Sequence, residues 1–278
     1  MEKILSIQST VTLGFVGNSV AGPVITYLGH QPLLVNSVAL AAHPGHGLTA
    51  GGVTPDNTFD AILGALPQLN SLSHIGTVIT GYLGAPSQVK SITQLIMNWA
   101  AERSNGYYVL DPVLGDNGRI YVDNKLVTAI RDNLLPLASF ITPNQFELGL
   151  LAEQPVFDIP SSDIAAKHLL NKYKNLISVV ATGINHNDGV VQDRLISRSD
   201  IVELIYKKRP VGIAGGGDLL TTIFASWLAA GQSYEDSFIA ASKQAHAIID
   251  LSNNNLEINL LKNMGKLTAV PKSKVLPD

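Results

Sequence analysis

The sequence predicts an α/β fold in which a mostly parallel central sheet is covered by helices on both faces. Short segments rich in β-branched residues alternate along the chain with longer segments of helical period, which is typical of this class. With 278 residues, of which 46% are hydrophobic, the chain is long enough to bury one large core. No break in composition marks a linker. We therefore expect one domain over residues 1–278, arranged as three layers, α/β/α, with a small lid region.

The predicted elements follow from these periods in chain order. Six segments are predicted as strands: 4–8, 32–38, 77–80, 107–111, 140–142 and 178–182. Two later segments, 189–197 and 201–206, are predicted to form an antiparallel pair. Seven segments are predicted as helices: 18–28, 58–66, 87–103, 145–152, 161–174, 217–230 and 233–252. Ser233 and Asp236 have the spacing of a capping pair for the last of these helices.

Residues 39–55 are predicted to form a long, glycine-rich loop. Loops of this length inside a compact domain are usually functional, so we expect a lid here. A dinucleotide-type glycine pattern begins at Gly45, but Pro55 would cut short any helix that followed it. The pattern is therefore discounted.

Composition excludes several classes of protein. The chain has 19 basic and 22 acidic residues and a net charge of −3, which makes nucleic acid a poor partner. It has no cysteine, which excludes a disulfide scaffold and thiolate metal sites. The first eight residues have too short an apolar run for a signal peptide, and the apolar stretch 219–230 is too short to span a bilayer. We expect a cytoplasmic protein.

The run Gly215-Gly216-Gly217-Asp218 is the most informative motif of the chain. Residues without a Cβ let backbone N–H groups crowd around an anion, and a helix that begins there adds the positive end of its dipole. Asp218 is the only side chain of the run that can take a proton, and the dipole is expected to keep it ionised. The run predicts either a phosphate site with a base for phosphoryl transfer, or a glycine loop with Asp218 as an ordinary capping residue.

Acidic and amide side chains follow two predicted strands. Asp111 ends an apolar strand, where its carboxylate needs a cation or donors, and Asp116 follows five residues later. Contact with a metal or with metal-bound water fits this pair, and an Asx-turn or helix cap is the alternative. Asn144 and Glu147 lie three residues apart at a predicted helix start, so both can reach one hydrated cation. On spacing alone, a capping box is favoured.

Polar and aromatic residues at other strand ends are weaker candidates. Ser9 could hydrogen-bond a small ring or cap a helix, and Tyr82 could stack on a flat ligand or belong to the core. Thr182 could approach a phosphate or only form a turn. None of the seven histidines has ligand spacing to a nearby carboxylate, and His43 in the expected lid is the best functional candidate among them. The chain has no Walker loop, no zinc-protease helix and no nucleophile elbow.

Taken together and in order, six segments resemble the pyridoxal kinases of the ribokinase-like superfamily. They are Ser6-Ile7-Gln8-Ser9, Asn36-Ser37-Val38, Thr80-Gly81-Tyr82-Leu83-Gly84, Asp111-Pro112-Val113-Leu114-Gly115-Asp116, Thr142-Pro143-Asn144-Gln145-Phe146-Glu147 and Gly215-Gly216-Gly217-Asp218. The resemblance extends from Ile4 to about Ser252. It implies ATP as phosphate donor, Mg²⁺, a monovalent cation such as K⁺, and a homodimer.

The resemblance also implies roles for individual residues. Asp218 would deprotonate the 5′-hydroxymethyl group of pyridoxal, and the three glycines Gly215, Gly216 and Gly217 would form the anion hole. The nucleotide side would comprise Asp111, Asp116, Asn144, Glu147, Thr182 and Gly217, with Asp111 and Glu147 near the metal. The acceptor side would comprise Ser9, His43, Tyr82 and Asp218, and Tyr121 looks like a lid residue.

Three positions depart from the family pattern. Thr10 stands where the family has a histidine, Pro44 where it has a pocket threonine, and Gly216 where a threonine or valine is usual. Thr10 and Pro44 affect the acceptor pocket and leave the phosphate machinery intact, so kinase activity is better supported than pyridoxal as the acceptor. A kinase for hydroxymethylpyrimidine or a sugar, and a pyridoxal-binding protein without catalysis, are the alternatives.

Overall fold

A computed structural model describes residues 2–48, 50–69, 72–187, 189–209, 212–252 and 256–271. Its strands are β1 (Lys3–Leu13), β2 (Gln31–Ala42), β3 (Gly51–Val53), β4 (Ile75–Thr80), β5 (Tyr107–Leu110), β6 (Gly115–Asp116), β7 (Arg119–Ile120), β8 (Phe140–Ile141), β9 (Ser178–Asn187), β10 (Val190–Ser197) and β11 (Ile201–Lys207). Its α-helices are α1 (Asn18–Tyr27), α2 (Asp56–Gln68), α3 (Pro86–Glu102), α4 (Asn124–Ala129), α5 (Gln145–Ala152), α6 (Ile159–Lys172), α7 (Gly216–Ala229), α8 (Tyr234–Leu251) and α9 (Leu260–Asn263). The ends of the predicted domain, Met1 and residues 272–278, lie outside the described residues.

Nine strands form one mostly parallel sheet in the order β11-β10-β9-β8-β5-β4-β1-β2-β3. The six central strands, β9, β8, β5, β4, β1 and β2, pair in parallel. Strand β3 joins antiparallel at one edge, and β10 and β11 join antiparallel at the other. The parallel strands carry their carboxyl ends to one edge of the sheet, where open α/β sheets place their sites. The predicted fold class is confirmed.

Both faces of the sheet are buried, as expected for parallel strands. Neighbouring residues such as Ile4 and Leu5 point to opposite faces and enter two different apolar clusters. Helices α2 to α6 cover one face, and α1, α7 and α8 cover the other. This arrangement gives the three predicted layers and brings the start of α7 to the sheet.

Most predicted elements are present with small shifts at their ends. The helix predicted over 145–152 has those bounds, and the predicted antiparallel pair is β10 and β11. The predicted cap is also confirmed, because the side chain of Ser233 accepts a hydrogen bond from the Asp236 N–H at 3.0 Å. Strand β1 is five residues longer than predicted at its carboxyl end, since it pairs with the extended β2 as far as Leu13.

One prediction about an irregular segment was wrong, and one short helix was missed. Residues 39–55 are not one loop, because β2 continues to Ala42 and β3 pairs with residues 38–40, leaving a short 3₁₀ turn at Pro44–His46. The segment after the β6–β7 hairpin was not predicted to be helical, yet it forms α4. Asp123 starts that helix by accepting a hydrogen bond from the Lys125 N–H at 2.7 Å. Strand β3 has only 3 residues and helix α4 only 6, so the local sequence signal for each is weak.

No helix in the described part of the chain is long and apolar enough to cross a membrane.

Candidate active site

The glycine run forms a turn that leads directly into α7, and two of its glycines are buried. Gly215 has φ of +86°, a left-handed conformation that strains any residue with a Cβ. A Cβ there would also overlap the carbonyl oxygen of Phe15. Helix α7 begins at Gly216, so its first N–H groups have no partner within the helix. We call this turn, residues 215–217, the glycine cradle; its free backbone donors are what the predicted phosphate site requires.

Asp218 lies in the first turn of α7, beside this cradle. Burial raises the pKa of its carboxyl group above the ordinary value, and a hydrogen bond from the backbone N–H of Gly17 opposes that rise. The sequence led us to expect a low pKa from the helix dipole alone. The difference arises because the carboxylate lies under the turn after β1, where the loss of water has the larger effect.

Asp111 is buried at the end of β5 and is held by hydroxyl groups. Its Oδ2 accepts a hydrogen bond from the Thr221 hydroxyl at 2.9 Å, and the hydroxyl oxygens of Thr221 and Thr142 lie 2.8 Å apart. Burial raises the pKa of Asp111 well above its usual range, and the charges of Glu147 and Asp218 raise it further. Three carboxyl groups from β5, α5 and α7 therefore influence one another at this edge of the sheet.

Asn144 and Glu147 form the predicted capping box at the start of α5. The Asn144 side chain accepts from the Glu147 N–H at 3.0 Å, and Glu147 Oε2 accepts from the Asn144 N–H at 2.9 Å. Glu147 Oε1 accepts in addition from the N–H groups of Leu114 and Gly115, at 2.8 and 3.4 Å. Burial raises the pKa of Glu147 to about 7, although these hydrogen bonds lower it. The capping box thus also holds the segment that follows Asp111.

That segment contains a strained residue. Val113 has φ of +43°, which is unfavourable for a β-branched side chain. The hydrogen bond between Glu147 and the next residue, Leu114, holds the backbone in this conformation. Strain of this kind between two candidate ligand residues is typical of functional sites.

Asp116 ends β6 and is followed by the hairpin turn to β7. Its Oδ1 accepts from the N–H of the next residue, Asn117, at 2.8 Å, and Asn117 and Gly118 both have positive φ, as in a hairpin turn. Tyr121 follows the hairpin and is 53% exposed.

Thr182 is brought beside Asn144. The two residues form an isolated parallel bridge, and the Thr182 N–H donates to the carbonyl oxygen of Pro143 at 2.9 Å. Thr182 is only partly buried, and Gly183 after it has φ of +63°. This part of β9 thus lies next to the start of α5.

The acceptor-side candidates lie around the ends of β1 and β4. Ser9 is buried at an irregularity in the β1–β2 pairing, and a Cβ on Gly17 would overlap its carbonyl oxygen. Tyr82 is partly exposed, and its carbonyl oxygen accepts from the Ser37 hydroxyl at 2.6 Å. Because Gly17 contacts both Ser9 and Asp218, these two residues belong to one region.

His43 has a structural role in its loop. Its Nδ1 accepts a hydrogen bond from the Gly45 N–H at 3.1 Å, which starts the 3₁₀ turn. Burial lowers the pKa of His43, although the nearby Glu257 raises it.

Sequence reasoning missed contacts between residues far apart in the chain. The expectation that no histidine pairs with a carboxylate considered only neighbours in sequence. In the structure, His246 Nε2 lies 3.0 Å from Asp193 Oδ2, and His46 Nε2 lies 3.5 Å from Glu257 Oε1. Thr221 was also missed as a partner of Asp111. No local spacing could have identified these residues, because each pair is separated by more than 50 positions.

Within the described ranges, no three or more acidic or histidine side chains are grouped closely enough to hold a metal ion by themselves. Mg²⁺ usually retains several waters and binds proteins through one or two carboxylates together with substrate phosphates. The buried carboxyl group of Asp111 fits this way of binding. The oxygens of Glu147 already accept backbone hydrogen bonds, so this residue fits contact through water better than direct ligation.

The fold and the site define a class. A mostly parallel sheet with covered faces, a glycine cradle at a helix start and a carboxylate in the first turn of that helix are the features of a ribokinase-like small-molecule kinase.

Comparison with known proteins places the chain within that class. The family described as phosphomethylpyrimidine kinase matches residues 65–265. A pyridoxine/pyridoxal/pyridoxamine kinase of Bordetella bronchiseptica is 32% identical over 87% of this chain and 86% of its own. The crystal structure of a pyridoxal kinase from Entamoeba histolytica has a TM-score of 0.90, with 24% identity and 98% of both chains covered. A Plasmodium falciparum PdxK, solved with the ligands AMP-PNP and PL, has a TM-score of 0.85 and 26% identity, covering 96% of this chain and 94% of its own. The chain belongs to the pyridoxal kinase family of the ribokinase-like superfamily, as its sequence motifs suggested.

Proposed function

We propose that this protein transfers the γ-phosphoryl group of ATP to the 5′-hydroxymethyl group of pyridoxal, with pyridoxine and pyridoxamine as further acceptors. The observation that carries the proposal is the carboxylate of Asp218 beside a cradle of backbone donors at the start of α7. The names of the relatives and the nucleotide and PL ligands of the Plasmodium falciparum structure support the choice of substrates.

In this mechanism Asp218 acts as the general base. Its carboxylate accepts the proton of the acceptor hydroxyl as the oxygen attacks the γ-phosphorus, the new O–P bond forms, and the bond to the β-phosphate oxygen breaks to release ADP. The raised pKa of Asp218 brings its basicity closer to neutral pH, which strengthens it as a base. The N–H groups of Gly215, Gly216 and Gly217 would meet the negative charge that develops on the transferring group.

The nucleotide would lie across the ends of β5, β8 and β9. Asn144 and Thr182 lie side by side there, and Asp116 and the exposed Gly217 in the first turn of α7 flank the same edge. Asp111 and Glu147 would contact Mg²⁺ directly or through its water, and the cation would neutralise the charge on the phosphates. The charges of Glu147 and Asp218 raise the pKa of Asp111, and this crowding of carboxylates favours such a cation.

The acceptor ring would lie between Ser9, Tyr82 and the loop that contains His43. At the two acceptor-side positions that depart from the family pattern, the side chains are engaged elsewhere or face solvent. The Thr10 hydroxyl lies 3.2 Å from that of Ser19 on α1, and Pro44 is an exposed residue at the start of the 3₁₀ turn. The choice of acceptor would therefore depend on Ser9, Tyr82 and His43.

A pyrimidine acceptor is the second candidate. The description of the matching family as phosphomethylpyrimidine kinase favours it, and a heteroaromatic ring with a hydroxymethyl group would present the same reacting atoms to Asp218.

Further parts of the proposal rest on the family resemblance. We propose a single kinase domain over residues 1–278, K⁺ as a monovalent cofactor, a homodimer and a cytoplasmic location. Exposed apolar side chains on β2, β3 and α2, among them Leu34, Val53 and Ile62, are consistent with an assembly. Sedimentation of the purified protein tests the dimer, and assays with and without K⁺ test the cation.

The central test is an ATP-consumption assay that offers pyridoxal, pyridoxine, pyridoxamine, hydroxymethylpyrimidine and ribose separately to the wild type and to Asp218→Asn. We expect turnover of the pyridoxal vitamers and a loss of about 10²- to 10⁴-fold in kcat for the variant, since its amide cannot accept the proton. Asp236→Asn is a matched control, because Asp236 lies in the first turn of α8 on the exposed surface. Wild-type turnover by Asp218→Asn would refute the mechanism, and exclusive use of hydroxymethylpyrimidine would favour the second candidate.

A further inference from the structure

Glu257 is a carboxylate without a role in the mechanism above, and it contacts two loops of the candidate site. Its Oε2 accepts a hydrogen bond from the Phe15 N–H at 2.9 Å, across 242 positions of sequence. Its Oε1 lies 3.5 Å from Nε2 of His46. The Glu257 side chain is only 16% exposed, so these contacts are largely shielded from water.

The backbone around Glu257 is fixed to the segment that leads into the cradle. The Ala214 N–H donates to the carbonyl oxygen of Leu256 at 3.1 Å, and the Ile258 N–H donates to the carbonyl oxygen of Ala214 at 3.0 Å. Ala214 immediately precedes Gly215. Glu257 therefore extends from a backbone position that lies beside the cradle itself.

The turn that Glu257 holds, residues 14–17, contacts both the cradle and the base. The backbone at Gly14 passes so close to the Glu257 carboxylate that a Cβ there would overlap it. The carbonyl oxygen of Phe15 packs on Gly215, and the N–H of Gly17 donates to the carboxylate of Asp218. Displacement of this turn would thus move a donor to Asp218 and a wall of the cradle together.

The second contact extends to the acceptor side. His46 ends the 3₁₀ turn that His43 starts, and Glu257 also raises the pKa of His43, so one carboxylate influences both histidines of residues 43–47. We propose that Glu257 is a positioning residue that fixes the turn 14–17 against Asp218 and joins residues 43–47 to the phosphate cradle. The inference rests on the proposed kinase function.

Because Glu257 contacts two different loops, variants can separate its effect on the turn 14–17 from its effect on residues 43–47. Glu257→Ala removes both contacts, whereas Glu257→Gln retains an oxygen that can accept from the Phe15 N–H. His46→Ala removes only the contact with residues 43–47. Glu2→Gln is the matched control, because Glu2 pairs with Arg103 at 3.2 Å near the start of β1, at the opposite edge of the sheet.

The experiment measures kcat, the KM values for acceptor and ATP, and amide hydrogen exchange of residues 14–17 and 43–47 in each protein without ligand. For Glu257→Ala we expect kcat to fall about 10- to 100-fold, because misplacement of a catalytic group by about 1 Å has effects of this size. Exchange should become faster in both segments. Glu257→Gln should recover most of kcat, and His46→Ala should raise the acceptor KM and the exchange of residues 43–47 while leaving kcat near the wild-type value.

Wild-type kcat and wild-type exchange in Glu257→Ala would overturn the inference. So would equal losses in Glu257→Ala and Glu257→Gln, since the retained acceptor would then have no effect. A wild-type protein that phosphorylates no acceptor would instead refute the proposed function, and the exchange data would still decide whether Glu257 holds the two segments.

Discussion

Burial acts on the carboxyl groups of this site in the same direction: it raises the pKa values of Asp111, Glu147 and Asp218. The consequences differ because their partners differ. Glu147 accepts hydrogen bonds from three backbone N–H groups, Asp111 is bonded to a threonine hydroxyl, and Asp218 remains partly accessible. Asp218 is therefore the most accessible of the three carboxyl groups, which suits the role of base that we propose for it.

The raised pKa of Glu147 has a consequence for stability. Its pKa is about 7 in the folded protein and near 4.5 when the chain is unfolded, so the folded state holds more protons between these values. The free energy of unfolding of the ligand-free protein should therefore decrease as pH rises from about 4.5 to 7, by at most about 3 kcal/mol from this group. Glu147→Gln should remove this part of the slope, as urea unfolding at several pH values would show.

The exposed Glu102→Gln serves as the control for that measurement and should keep the wild-type slope. The amide of Glu147→Gln cannot accept from both Asn144 and Leu114, so the variant should also lose a constant amount of stability at every pH. This constant loss is separable from the slope. A wild-type slope in Glu147→Gln would contradict the raised pKa.

At the scale of elements, the start of α7 is shaped by backbone conformation. Gly215 has a positive φ, and the Phe15 carbonyl oxygen lies where its Cβ would be. Gly217 does not have a positive φ, and a methyl group added there would meet no atom within 4 Å. Gly215 must therefore be a glycine because of its backbone conformation and its close contact with Phe15. At Gly217 the backbone would accept a side chain, and the absence of one leaves space beside the first turn of α7.

This difference predicts opposite effects of the same substitution. Gly215→Ala should lower the free energy of unfolding by about 1–3 kcal/mol through strain, and the displaced turn should weaken ATP binding. Gly217→Ala should leave stability unchanged or raise it by about 0.4–1 kcal/mol, because alanine restricts the unfolded chain. Urea unfolding of both variants, with ATP titrations, measures the two effects, and equal losses at both positions would contradict the assignment.

At the scale of the whole molecule, the site depends on the packing of α7 on the sheet. Phe140 of β8 is fully buried, and its ring packs edge-to-face on Phe224 of α7, with centroids 5.2 Å apart. Tyr107 and Tyr234 contact the same ring from β5 and α8. One side chain therefore joins the sheet to the helix that carries Asp218.

Phe140→Ala should lower the free energy of unfolding by about 3–5 kcal/mol, because it leaves a cavity among three rings. Phe157→Ala is the control: that ring is 64% exposed, so its removal should change stability by no more than about 0.5 kcal/mol. Chemical denaturation of both variants provides the comparison, and a loss below about 1 kcal/mol at Phe140 would show that the rings repack.

The local parts of the site were predictable from sequence. The capping box of Asn144 and Glu147, the hairpin after Asp116 and the position of Asp218 in a first helical turn all depend on residues a few positions apart. The extension of β2 and the short β3 were not predictable, because their hydrogen bonds depend on a neighbouring strand rather than on local propensity.

By itself, the sequence determined the fold class and the family, since both can be inferred from periodicity, spacing and the order of motifs along the chain. Only the tertiary structure decided which groups surround each carboxylate. It brought Thr221 to Asp111 and Gly17 to Asp218, and it placed Glu257 between Phe15 and His46. Burial and long-range contacts set pKa values and orientation, and both arise from packing between segments that lie more than 100 positions apart.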